Sequence, residues 1–68
     1  MSKQRYNEIF NAFINYIKEN NLHIGTMQNV NKHWNSFKLF EYDLTQDEEV
    51  TFVKVFGNDI SKIKRAVL

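Results

Sequence analysis

SFKLFEYDLTQDEEVTFVKVFG, residues 36–57, decides the fold of this chain, because both of its halves can be read as strand or as helix. As a strand, SFKLFEYDL alternates: Lys38, Phe40, Tyr42 and Leu44 fall on one side, and Phe37, Leu39, Glu41 and Asp43 on the other. VTFVKVF is rich in β-branched and aromatic residues, so residues 37–44 and 49–56 would pair as a hairpin across TQDE. The helical reading rests on punctuation. Thr45 and Glu48 have capping-box spacing, in which the threonine oxygen takes the N3 amide and the glutamate reaches back to the cap amide. Asp47, Glu48 and Glu49 then occupy the first turn, where negative charge meets the positive end of the helix dipole. Gly57 stands where a glycine just past a helix C-terminus belongs. Strand propensity is worth a few tenths of a kcal/mol per residue and a cap about 1 kcal/mol, which favours a helix over residues 46–56.

The flanking segments agree with helices. In KQRYNEIFNAFINYIKEN, residues 3–20, the apolar side chains Tyr6, Ile9, Phe10, Phe13, Ile14 and Ile17 recur at helical period. Ser2 is the expected N-cap, and Asn20-Asn21 the expected stop, because asparagine tolerates the left-handed conformation. After a connection at LHIGT, with Thr26 as a cap, Val30, Trp34, Phe37, Phe40 (or Glu41) and Leu44 fall on one face at steps of three and four, which predicts a helix over 28–41. Asn58 or Asp59 would cap a last helix over 59–67, with Ile60, Ile63 and Val67 inward and Ser61, Lys62, Lys64, Arg65 and Leu68 outward. The expected fold is a single all-α domain of four helices spanning residues 1–68. Its core would hold Ile9, Phe10, Phe13, Ile17, Trp34, Phe37, Phe40, Phe52 and Phe56, closed by Ile60, Ile63 and Val67. The alternative is an α+β domain, with the 37–44/49–56 hairpin between an N-terminal helix and a C-terminal one.

Composition narrows the functional classes. A chain of 68 residues buries only about 60% of the surface its unfolded form exposes. With no cysteine there is neither a disulfide nor a thiolate metal site, so stability must come from six Phe, three Tyr and one Trp, or from a homodimer that completes the core. No apolar run approaches the roughly 18 residues of a membrane span, and the polar start MSKQRYNE carries no signal peptide, which points to the cytoplasm. Net charge is +1, but its distribution is uneven: five acids lie between Glu41 and Glu49, and Lys62, Lys64 and Arg65 follow with no acid after Asp59.

The segment FGNDISKIKRAV resembles the turn and second helix of bacterial and phage helix-turn-helix modules, a likeness that spans residues 49–68. Phe56 precedes the turn glycine Gly57, Ile63 and Ala66 follow it by six and nine positions, and Phe52 fills the apolar slot of the first helix. Val53 departs from the small residue usual at its position, and Asn58 from an apolar one. The resemblance implies a small DNA-binding regulator or accessory protein, with the second helix entering the major groove of double-stranded DNA. Lys62 and Arg65 would then contact guanine edges or phosphates, Ser61 a phosphate or base, and Lys64 would add charge. Lys3 and Arg5 would add backbone contacts from the N-terminal arm. Five cations make a small electrostatic footprint, so useful affinity would call for a dimer on a palindromic site.

The rival class is a protein-binding module, an inhibitor or adaptor that occupies a partner's surface, for which the acids from Glu41 to Glu49 could meet a basic patch. Capping and dipole roles account for three of these five acids without any partner. An enzyme is not expected. His23 and His33 lie ten residues apart with no cysteine or carboxylate at ligand spacing, so no metal site or cofactor is expected. Ser2, Ser36 and Ser61 have no histidine partner at a recognisable spacing, and two glycines do not make a phosphate loop. A chain this small also lacks the volume for a water-excluding substrate pocket.

Overall fold

The computed structural model describes residues 1–58 and 60–68, among which there are four helices: α1 Lys3–Glu19, α2 Met27–Phe40, α3 Gln46–Asn58 and α4 Ser61–Val67. Among the described residues there is no strand, so the 37–44/49–56 hairpin does not form. Capping decides the ambiguous middle. The Glu48 amide donates to Thr45 Oγ1 at 3.2 Å and the Thr45 amide to Glu48 Oε1 at 3.0 Å, which closes the reciprocal box at the start of α3. Ser2 takes the Arg5 amide at 3.1 Å and Thr26 the Asn29 amide at 3.2 Å, so α1 and α2 also begin on hydroxyl caps. Asn21, just past α1, adopts the left-handed conformation with φ 52°, and Asn20 closes the last turn with its side chain on the Tyr16 carbonyl.

One aromatic cluster holds the helices together. Phe13 of α1 meets Trp34 and Phe37 of α2 at centroid distances of 5.1 and 5.2 Å, and Phe56 of α3 at 5.5 Å. Trp34 meets Phe52 at 5.2 Å and Phe56 at 5.0 Å, the latter edge-on. Each such ring buries about 150–250 Å², and favourable ring pairs add about 0.5–1.5 kcal/mol beyond that area. Ile9, Ile14 and Ile17 of α1, Val30 of α2 and Ile63 of α4 complete the core, and Leu22 and Ile24 of the α1–α2 connection pack against its edge. α1 and α3 each pack on α2, and α4 lies along α1.

Four expectations are corrected. Phe40, expected in the core, is 80% exposed. On α2, Val30, Trp34 and Phe37 define the inward direction, and at about 100° per residue Phe40 points roughly 90° away from it. The inward place one turn after Phe37 falls to Glu41, where the helix ends; the chain then bends and Tyr42 stacks on Phe37 at 5.6 Å. Phe10, Ile60 and Val67 are half-buried at the core's edge, whereas Ile14 and Val30 are buried. Gly57 is not a turn: α3 continues through it to Asn58, and no glycine has positive φ. A glycine stops a helix only where the backbone requires the left-handed region, and here it does not. α4 begins at Ser61, later than the expected 59, with Ile60 at its cap position; Asn58 is the last residue of α3, and Asp59 lies outside the described residues.

Candidate interaction surfaces

The cations singled out for DNA do not form one free cluster. Arg5 lies on the inward-leaning side of α1, where its guanidinium forks onto Glu48 of α3, Nε to Oε2 at 2.6 Å and Nη2 to Oε1 at 3.3 Å. Nη1 also donates to the Tyr42 hydroxyl at 3.2 Å. This geometry fixes the charges of both partners. The Arg5 hydrogen bond, aided by the Thr45 amide, lowers the Glu48 carboxyl to about 2, and Glu48 in turn raises Arg5 above its ordinary value. On α4, Lys64 donates to the Gly25 carbonyl at 3.2 Å and so ties the last helix to the α1–α2 connection. Arg65 and Ser61 bond to each other one turn apart at 3.4 Å, with Ser61 half-buried.

Lys62 and Lys3 remain. The Lys62 ammonium sits 5.9 Å from the centre of the Tyr6 ring, and Lys3 lies exposed one turn before Tyr6 on α1. Lys62, Arg65 and Lys3 are thus the exposed members of the set, on two helices that pack together.

The acids sort in the same way. Glu48 is 12% exposed and spent on its cap and on Arg5. Glu49 takes the Lys38 ammonium on its Oε1 oxygen and so bridges α2 to α3. Asp47 stays in the first turn of α3 and accepts the Thr51 hydroxyl on its carbonyl. Glu41 and Asp43 are exposed, and no ion pair engages them among the described residues.

Beside those two acids lies the feature that the sequence reading did not single out. Leu39 and Phe40, consecutive at the end of α2, are 72% and 80% exposed. Together with Glu41 and Asp43 they make an apolar knob with an acidic edge. The signal was present in the helical wheel, which puts Leu39 opposite Val30, Trp34 and Phe37. A second apolar surface runs along α3, where Val50 and Val53 are 46% and 51% exposed and share a shallow depression with Leu44, Gln46, Glu49 and Lys54. His33 is held by its Nε2 on the His23 carbonyl at 2.8 Å, a tie between α2 and the preceding connection. No helix is long and apolar enough to cross a membrane among the described residues. No protein-family model, curated protein or solved structure matches this chain.

Proposed function

We propose that this chain is a small non-enzymatic protein-binding module that occupies a partner's surface through the Leu39–Phe40 knob and its acidic edge. The observation that carries the reading is the exposure of two consecutive large apolar side chains, 72% and 80%, in a domain that buries its other five phenylalanines wholly or in part. Leaving a phenylalanine in water forgoes about 1.5–3 kcal/mol of burial, which a complementary cleft would recover. Anchors of this kind, aromatic and fully desolvated on docking, dominate protein interfaces. Glu41 and Asp43 beside them favour a partner whose apolar cleft is rimmed by lysine or arginine. The test is affinity capture with wild-type chain and with Leu39→Ser/Phe40→Ser, with and without nuclease. A partner lost with the variant and indifferent to nuclease is the expected result. Equal capture by both chains overturns the assignment of the knob.

A second reading, double-stranded DNA binding, is favoured by Lys3, Lys62 and Arg65, which are exposed on the two packed helices α1 and α4. It has less support than the first. Arg5 and Lys64 are engaged within the domain, and the glycine that should make the turn is helical.

A further inference from the structure

We propose that two copies of this chain associate in parallel through the outer face of α3, along a seam of Gln46, Val50, Val53 and Gly57. These four residues are spaced four, three and four apart, the interval of a coiled-coil stripe, and all four are exposed. The stripe lies about a third of a turn away from Phe52 and Phe56, which face the core, so α3 carries, besides its buried face, a second one on which Val50 and Val53 stand exposed.

The flanks select the occupant. Glu49 and Lys54 border the stripe on opposite sides, five residues apart. In a parallel two-stranded packing, the residue just before one core position faces the partner residue five places further along, on the other flank. Glu49 of each copy therefore meets Lys54 of the other, twice by symmetry. Lys38 occupies only Oε1 of Glu49, which leaves Oε2 for a lysine across the seam. Lys54 is exposed and has no ion pair of its own among the described residues. An antiparallel pair would instead set like flank against like flank, Glu49 beside Glu49 and Lys54 beside Lys54.

Gly57 supplies an independent argument. A helical glycine costs about 1 kcal/mol relative to alanine, yet a side chain there would meet no atom of the described residues within 4 Å. Nothing among the described residues requires it. On the seam, a missing side chain lets two helices approach closely at its end. A seam this short makes a weak dimer, below the size of stable interfaces.

Sedimentation of the full chain from micromolar to millimolar concentration tests the proposal. The wild type is expected to show a monomer–dimer equilibrium. Val50→Asp should abolish it, Lys54→Glu and Glu49→Lys should each weaken it about fivefold or more, and the double exchange should restore it to within about twofold. Circular dichroism on the same samples reports that each variant is folded. Because the chain has no cysteine, Val50→Cys gives a single thiol that should oxidise readily to a covalent dimer, while Asn15→Cys, exposed on α1, should not. A chain monomeric at every concentration overturns the proposal, as does an association indifferent to Val50→Asp or a Val50→Cys no faster than the control. The seam does not include Leu39 or Phe40, so this test and that of the knob fail separately.

Discussion

Arg5 and Glu48 stand 43 positions apart in sequence, yet the guanidinium and carboxylate of this pair join the first turn of α1 to the first turn of α3. The same carboxylate caps α3 through the Thr45 amide. A single proton on Glu48 therefore removes a local cap and a long-range tie together. The folded carboxyl lies at about 2, below its ordinary value near 4.5, so the stabilisation is complete above 4.5 and is lost as pH falls through the interval toward 2. Glu48→Gln should lower Tm at neutral pH, and the gap to wild type should close across that acid interval, as read by thermal melts at a series of pH values. A gap that stays constant down to pH 2 would contradict this.

Gly57→Ala gives opposite signs for the two geometries considered for this residue. In the helix that is observed, with no atom of the described residues within 4 Å of an added methyl, alanine should stabilise the dilute monomer by about 0.5–1 kcal/mol. In a left-handed turn the same change would destabilise it. Urea unfolding at low protein concentration decides.

Replacing both Leu39 and Phe40 by serine should change stability by no more than about 0.5 kcal/mol per site, because both side chains stand in water. Phe56→Ala, by contrast, removes a ring 1% exposed and in contact with Phe13 and Trp34, and should cost about 3–5 kcal/mol. For a domain of this size that is most of its stability.

Trp34 is the sole tryptophan, 1% exposed, and its Nε1–H has no hydrogen-bond partner among the described residues. Trp34→Phe loses volume but also removes a buried orphan donor, so it should cost less than Phe56→Ala, about 1–2 kcal/mol. Native fluorescence should be blue-shifted and poorly quenched by acrylamide. Emission of an exposed indole at neutral pH would contradict the packing.

Lys62→Ala/Lys64→Ala/Arg65→Ala addresses the DNA reading. If α4 binds duplex DNA, the triple variant should lose most of the gel shift seen at low salt, and wild-type affinity should fall steeply as salt rises. An unchanged shift in the variant would remove α4 from the argument. Lys64 also holds the Gly25 carbonyl, so Lys62→Ala/Arg65→Ala is the cleaner second variant.

The elements that sequence reading recovered are those specified by neighbours in the chain. Ser2, Thr26 and the Thr45–Glu48 box act within three residues, and Asn21 needs only its own φ, so each could be read from spacing. The misses arise where a local rule is extended beyond what it controls. Steps of three and four leave Phe40 and Glu41 equally plausible after Phe37; the 100° rotation turns Phe40, the last residue of α2, outward, and beyond the helix end Tyr42 stacks on Phe37. Gly57 carries the same letter whether its φ is positive or helical. The commitment of Arg5 to Glu48 and of Lys64 to Gly25 spans 43 and 39 positions, and no local pattern announces such pairs. Cations that looked uncommitted on a wheel are thus divided, in space, between structural ties and open surface.

The seven-residue length of α4 has a kinetic corollary. Two turns lie well below the roughly 12–15 residues at which an isolated helix holds in water, so α4 depends on its tertiary contacts: Ile63 in the core, Ile60, Ala66 and Val67 at its edge, and Lys64 on the Gly25 carbonyl. Withdrawal of that apolar face, with Ile63 at its centre, would unwind the segment as a unit while the ring cluster of α1, α2 and α3 remained closed. Amide hydrogen exchange should accordingly divide the molecule into two tiers, with residues 63–68 exchanging through a shallow opening and the amides around Phe13 and Trp34 only through global unfolding.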